Sequence, residues 1–197
     1  MAIEEQYDSQ HFLVDSINIL LETIGEEPIS TLDDVDNVLE AQLAMKAIIE
    51  AKRNILSKGW DINTDSGYSF NPDNEGYINI PPHVLDLNVV GSNIIIRDWK
   101  LYDKDNKTRV FTEPVSCEVI WNLDFDTLTH PLRYYITIVA ARRFQARLIS
   151  DQSLYAFTKE DENDALISAK QSNGFTGEFN LLDSNYGTNN FNVLSRL

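Results

Sequence analysis

The sequence is poor in the residues that build covalent cross-links, metal sites and phosphate contacts. One cysteine, Cys117, stands in 197 residues, which excludes a disulfide framework and a multi-cysteine zinc site. Lys and Arg together number 16 against 31 Asp and Glu, and the net charge is −15. A protein that binds nucleic acid through its phosphates needs the opposite balance. A DNA-binding factor is therefore disfavoured.

Long apolar runs and recognised catalytic loops are also missing. No run approaches the roughly 18 residues of a membrane span, and residues 1–10 carry three acids and no base, so we expect neither a membrane segment nor a secretory signal. No Gly-rich phosphate loop, Gly-x-Ser-x-Gly elbow or His-Glu-x-x-His pair occurs. The three histidines are isolated: His11, His83 and His130. The sequence therefore predicts no metal site.

The acids that are present offer one enzymatic alternative. Stretches beginning at Asp61 and Asp103 resemble the start of calcium loops, but a proline occupies the twelfth position of each. Asp124 and Asp126 flank Phe125 and could be the paired carboxylates of a glycosidase, one of them with a raised pKa. Because carboxylates are so plentiful, such pairs also arise by chance. No enzymatic activity is predicted, and a cell-wall or capsule glycosidase is the alternative.

Charge is distributed unevenly along the chain. Residues 1–45 contain eleven acids and no Lys or Arg, whereas Arg133, Arg142, Arg143 and Arg147 fall within one short segment. These arginines could be exposed to solvent or paired within the chain. Alternatively, two faces of opposite sign could meet in an oligomer, with acids of one subunit pairing with bases of the next.

Periodicity predicts helices at the two ends of the chain. Residues 11–24 carry apolar side chains at i, i+3, i+4 and i+7, and Gly25 fits a helix stop. Pro28 interrupts the helical pattern, and two overlapping Ser/Thr-x-x-Asp patterns, at Ser30 and Thr31, mark the start of a long second helix that ends at Gly59. The apolar face of that helix includes Val35, Val38, Leu39, Ala41, Met45, Ile48, Ile49, Ile55 and Leu56.

Two further helices are predicted after residue 125. Thr127 or Thr129 caps the third, which has Pro131 in its first turn and enough apolar residues to occupy a central position. Ser150 or Asp151 begins the fourth, which ends near Asn173.

Between the helices the period changes to two and turn residues become dense. Short strand patterns alternate with turns from Trp60 to Leu123. The predicted strands cover residues 68–70, 77–80, 84–90, 93–97, 100–102, 108–111 and 117–123. Several short strands at this spacing are typical of a small antiparallel sandwich or barrel.

The fold class that follows is α+β. Residues 1–60 and 126–174 are predicted to form a discontinuous four-helix bundle, and 61–125 an inserted antiparallel β-sandwich or barrel. Residues 175–197 are predicted to form an extended docking segment, because they lack a regular pattern yet retain large apolar side chains. Its anchors cover the chain's own bundle or dock on a neighbouring chain. The anchors named for this role are Phe175, Phe179, Leu181, Leu182, Phe191 and Leu194.

Two ordered motifs resemble a known family. Residues 24–32 read Ile-Gly-Glu-Glu-Pro-Ile-Ser-Thr-Leu, and after a long helix residues 57–63 read Ser-Lys-Gly-Trp-Asp-Ile-Asn. This order resembles the N-terminal half of the tail tubular protein A family, the head-to-tail adaptors of short-tailed phages. The resemblance extends over residues 14–63 and returns at 133–147, in the acidic fourth helix and at 180–183. Its structural anchors here are Gly25, Pro28, Thr31, Gly59 and Trp60.

The resemblance implies a structural protein of the virion tail, made in the host cytoplasm and without a cofactor. It implies a dodecameric ring between the portal protein and the nozzle protein, tail tubular protein B, with the genome passing through the channel. The helical bundle is expected to face the portal, the β part the nozzle, and the C-terminal segment a neighbouring copy. Arg142, Arg143 and Arg147 would then pair with a neighbour's acids.

The charge agrees with such a channel. A ring of twelve chains would carry about −180 formal charges at −15 each, and a negative channel lets DNA slide without adhering. For Trp60, a core anchor at the helix–strand junction and an interface residue are both open interpretations.

Overall fold

The computed structural model describes residues 11–149 and 156–176. Helices and antiparallel sheets both occur, so the α+β prediction is confirmed. The α-helices are α1 (His11–Glu22), α2 (Leu39–Leu56), α3 (His130–Leu148) and α4 (Lys159–Thr176). The strands are β1 (Thr64–Phe70), β2 (Val84–Asn88), β3 (Ile94–Arg97), β4 (Lys100–Asp103) and β5 (Val115–Trp121).

The turn after α1 is fixed by its own backbone and by one side chain. The Gly25 N–H bonds to the Glu22 carbonyl and the Glu26 N–H to the Leu21 carbonyl, a Schellman ending with Gly25 at φ 79°. Beyond the exposed Pro28, the amide of Asn18 donates to the Ile29 carbonyl at 2.9 Å and accepts from the Ile29 N–H at 2.8 Å. The Gly-Glu-Glu-Pro segment is therefore held against α1.

The second predicted helix is interrupted, and its start was placed too early. Thr31 precedes a 3₁₀ helix, Leu32–Asn37, and the Asp34 carboxylate accepts from the N–H groups of Ser30 and Thr31. Val38 then takes extended angles (φ −122°, ψ 113°), and α2 begins only at Leu39. The hydrogen bonds of the Asp34 carboxylate to the backbone at Ser30 and Thr31 favour 3₁₀ geometry in the first turn. Because 3₁₀ helices rarely continue for more than a few residues, the helix is interrupted there.

α3 has the central position predicted for it. Thr129 is its N-cap, Pro131 lies in its first turn, and every residue from Tyr135 to Ala141 is buried. A helix buried over seven consecutive residues has no solvent face there, because seven residues cover almost two turns. Contacts with α1 include the bond from Thr137 Oγ1 to Ser16 Oγ at 3.0 Å.

α4 begins later than predicted. The described residues before it, 156–158, are not helical, so a start at Ser150 or Asp151 is wrong for this stretch. Thr158 and Asp161 explain the start at Lys159: the Asp161 carboxylate accepts from the Thr158 N–H and hydroxyl, both at 2.7 Å. This reciprocal cap supplies the first turn with hydrogen bonds.

The strands form two antiparallel sheets. One has the order β1-β5-β2 and the other is the hairpin β3-β4. The predicted strands at 77–80 and 108–111 are wrong, because these segments form only isolated bridges such as Tyr77 to Val110. The core between these elements consists of Phe70, Ile78, Ile80, Val84, Leu101, Cys117 and Val119. Cys117 is thus a buried core residue.

By internal contacts the chain divides into two compact units. The helical unit contains the described residues up to Asn54 and those from Asp124 to Phe175, and the β unit contains Ile55–Leu123. Within residues 11–149 and 156–176, no helix has the length and the apolar run needed to cross a bilayer.

Candidate assembly surfaces

The Gly-Trp motif builds a buried junction at the end of α2. Gly59 has φ 77°, and a Cβ placed on it would lie 3.2 Å from the Ile120 side chain. Trp60 is buried, and its indole N–H donates to the Ile55 carbonyl at 2.9 Å. The junction requires glycine for its left-handed turn and its close approach to a strand.

Asn63, which lies within the Gly-Trp motif but was not predicted to be a structural anchor, completes this junction. The side chain is buried, its Oδ1 accepts from the Trp60 N–H, and its Nδ2 donates to the carbonyls of Leu56 and Trp121. The end of α2 is thereby tied to β5. The signal available in the sequence was an amide three residues after the indole, the spacing of a short capped turn.

The arginines of α3 connect that helix to its neighbours in the helical unit. Arg142 pairs with Glu162 of α4, and Arg147 pairs with Glu50 of α2 at 2.9 Å. Arg143 is exposed, and its pairing with a neighbouring copy stays a prediction. The Arg147 hydrogen bond is the main cause of the lowered pKa of Glu50, to which the charges of Arg147, Lys46 and Arg143 also contribute.

α2 presents a partly apolar, cationic stripe to solvent. Leu39, Leu43 and Ile49 are 62%, 39% and 43% exposed, and Lys46 and Arg53 are exposed on the same stripe. These five residues are called the α2 face below. Placing Leu39 and Ile49 on the covered side of the second helix was wrong, because α2 buries Ala41, Ala44, Ala47, Ile48 and Ala51 instead. Beside the α2 face runs an open groove whose walls include Val35, Asp36 and Met45.

α4 presents a stripe of the opposite charge. Glu160, Asp164 and Ile167 lie one turn apart on its exposed side, with Asn163 and Gln171 between and beyond them. These five residues are called the α4 face. Ile167 is 53% exposed and is the only large apolar member of this stripe. The buried side of α4 is made of the small residues Ala165 and Ala169.

The β3-β4 hairpin ends in a strained, exposed tip. Asp98 and Trp99 have φ of 55° and 59°, and Trp99 is 59% exposed. A two-residue hairpin turn requires two left-handed residues, for which Asn-Gly is the usual choice. Asp98 pairs with Arg109 at 2.6 Å, while the indole remains at the surface. The signal in the sequence was the pair Asp98-Trp99, which stands between two strand patterns.

The side chains that the sequence offered for catalysis or metal binding occupy structural positions. Burial raises the pKa of Cys117 to about 11, so the thiol is protonated at neutral pH. Burial also raises the pKa of Asp126, which lies in a 3₁₀ helix, Phe125–Thr127, and whose carbonyl accepts from Arg133. Among residues 11–149 and 156–176, no three His, Cys, Asp or Glu side chains are grouped to bind a metal ion.

The predicted docking segment lies almost entirely outside the described residues. Phe175 belongs to the backbone of α4, and nothing of its side chain is described. The remaining anchors fall beyond residue 176: Phe179, Leu181, Leu182, Phe191 and Leu194. Their role stays a prediction.

One comparison with known proteins identifies the chain. No protein with a curated description matches it. A family model described as tail tubular protein matches residues 14–179, which is most of the chain. The match includes α1, the Gly-Trp junction, both sheets, α3 and α4. The chain therefore belongs to the tail tubular protein family and is a structural component of a phage tail.

Proposed function

We propose that this protein is the adaptor subunit of the tail. Twelve copies form a ring between the portal protein and the nozzle protein, tail tubular protein B, and the genome passes through its channel without specific binding. The observation that carries the proposal is the family match over residues 14–179, which spans both the helical and the β unit. The protein is made in the host cytoplasm and incorporated into the virion.

In this proposal the four α-helices form a bundle that packs side by side in the ring and faces the portal. Contacts within the helical unit support it: α3 bonds to α1 through Thr137, to α2 through Arg147 and to α4 through Arg142. A helix with partners on several sides is the usual centre of a bundle. The strands form the compact β-sandwich or barrel that faces the nozzle.

The hairpin tip is the part of the β unit that we assign to the nozzle contact. A bulky residue in a left-handed conformation costs about 1–2 kcal/mol, and strained residues persist where they serve a function. Exposed Trp side chains are frequent anchors of protein interfaces. Trp99 is both strained, with a φ of 59°, and 59% exposed.

Electron microscopy of the purified protein, alone and with its portal protein, tests the proposal. We expect rings of twelve copies with a central channel, either spontaneously or on the portal. A protein that stays monomeric under both conditions would contradict the adaptor function.

The enzymatic alternative has one observation in its favour, the raised pKa of Asp126 beside Asp124. Zymography on peptidoglycan and capsule, with Asp124→Asn and Asp126→Asn as controls, separates the two functions. The adaptor proposal predicts no cleared band. A band that both substitutions remove would support the glycosidase.

A further inference from the structure

The α2 face and the α4 face have complementary properties. The α2 face carries Lys46 and Arg53 around three exposed aliphatic side chains, and Glu50, an acid on the same stripe, is paired with Arg147. The α4 face carries Glu160 and Asp164 around Ile167, and the partly exposed Lys170 lies at its edge. An apolar patch rimmed by charge is typical of a protein interface, and opposite charge selects the partner.

Further cations strengthen the positive side. Arg147 pairs with Glu50 at 2.9 Å, and the charges of Lys46 and Arg143 also help to lower the pKa of this carboxyl. Asp36, on the wall of the groove, is the other acid at this site. The region therefore keeps a positive excess in a chain whose net charge is −15.

Within one chain both faces are exposed to solvent. Arg142 binds α4 through Glu162, and Arg147 binds α2 through Glu50. Five residues separate these arginines, so they leave the axis of α3 about 140° apart. α2 and α4 therefore contact α3 on different sides of that helix. Glu162 lies on the opposite side of α4 from the α4 face, whereas Glu50 lies on the same stripe as the α2 face, one turn after Lys46.

We infer that the α2 face of one copy binds the α4 face of the next copy. Leu39, Leu43 and Ile49 would surround Ile167, and Lys46 and Arg53 would lie opposite Glu160 and Asp164. Such a contact joins two different surfaces, so it propagates from copy to copy and ends by closing a ring. The inference rests on the proposed ring and adds the surfaces that form it.

A charge-reversal experiment tests the inference. One variant carries Lys46→Glu and Arg53→Glu, and the other carries Glu160→Lys and Asp164→Lys. Like charges then face each other in each variant, and we expect the concentration for half-maximal assembly to rise by about tenfold or more. A mixture of the two variants should restore rings in which they alternate, because every contact is then between opposite charges. A ring of alternating variants closes only when its number of subunits is even, as it is in the proposed ring of twelve.

The control carries Lys104→Glu and Lys107→Glu, two exposed residues of the β unit, and should assemble like the wild type. Mass photometry and negative-stain microscopy measure assembly, and circular dichroism checks the fold. If a charge-reversed variant fails to fold, Leu43→Ser and Ile167→Ser test the same contact through its apolar part.

Rings from either variant alone, or a mixture that stays unassembled, would overturn the inference while leaving the adaptor function intact. A wild type that forms no ring even with its portal protein would overturn the adaptor function and this contact together.

Discussion

At the scale of single residues, two buried side-chain amides differ in their hydrogen bonding. Asn63 has every polar atom of its side chain hydrogen-bonded. Gln145 of α3 is 0% exposed, and neither its Nε2 nor its Oε1 has a hydrogen-bond partner in the described part of the chain. Since an unpaired buried polar group costs about 1–3 kcal/mol, substitutions at the two positions should act in opposite directions.

Asn63→Asp should destabilise the β unit strongly. The substitution removes both donated hydrogen bonds and places a carboxylate against the carbonyls of Leu56 and Trp121. We expect the free energy of unfolding to fall by about 3 kcal/mol or more, measured by urea denaturation. Asn74→Asp, at an exposed position, is the matched control and should change it by less than about 0.5 kcal/mol. Equal effects of the two substitutions would contradict the role given to Asn63.

Gln145→Met should stabilise the helical unit. Methionine fills a similar volume without two unpaired polar atoms, so we expect the free energy of unfolding to rise by about 1 kcal/mol. The measurement is thermal or urea denaturation at fixed protein concentration, with the exposed Gln171→Met as control. A loss of stability in Gln145→Met would show that the amide has a partner.

At the scale of elements, the sequence predicted what local chemistry determines. α1 and its Gly25 stop, and α3 with Pro131 in its first turn, follow from periodicity and from local start and stop residues. The choice between Thr127 and Thr129 as the N-cap of α3 stayed open in the sequence, and the structure has Thr129. The break at Val38 and the start of α4 at Lys159 were missed because several Ser, Thr and Asp residues could cap each helix. Which of them does so depends on the tertiary contacts that each choice permits, and these are not visible in a local pattern.

The cap of α4 should be sensitive to acid. Hydrogen bonds from the Thr158 N–H and hydroxyl lower the pKa of Asp161 below its ordinary value of 3.8. The stability that the cap contributes is therefore present above pH 3.8 and is lost as the pH falls through the lowered pKa. An NMR titration should show Asp161 and the Thr158 amide changing together below that value. Asp161→Asn should abolish the amide's transition and the control Asp164→Asn should keep it; an Asp161 midpoint at or above 3.8 would refute the cap.

The hairpin tip should gain stability and lose function when its strain is removed. Trp99→Gly relieves a left-handed tryptophan, so the β unit should become more stable by about 1 kcal/mol. Attachment of the nozzle protein should weaken, because the exposed indole is gone. Lys107→Gly relieves a similar strain (φ 55°) without removing an aromatic ring and is the control for a pull-down with the nozzle protein. Unchanged attachment of Trp99→Gly would remove the hairpin from the proposed contact.

At the scale of the whole molecule, family motifs and fold class were accessible from the sequence, whereas the surfaces were not. The turn at Gly25 and the junction at Trp60 are formed by residues close together in the sequence. The motifs that resemble the family could therefore be recognised from the sequence, in their order along the chain. The α2 face depends on which of two apolar stripes is covered, and α2 covers its alanines rather than Leu39 and Ile49. Only the packing of the other helices decides that choice.

Removal of residues 175–197 should impair assembly more than folding. The sequence of this segment predicts anchors that dock on a neighbouring copy. The truncated chain should unfold at nearly the same urea concentration as the full chain but form fewer rings, as counted by electron microscopy. Normal rings from the truncated chain would refute the docking role.

The position of α3 has a mechanical consequence for a closed assembly. In each copy, α3 is bonded to α2 on one side and to α4 on the other. If those two helices hold the adjacent copies of the proposed ring, tension along the ring passes through the interior of every subunit from α4 through α3 to α2. Loosening the packing around α3 would then lower the bursting strength of the ring as effectively as a substitution at the contact itself.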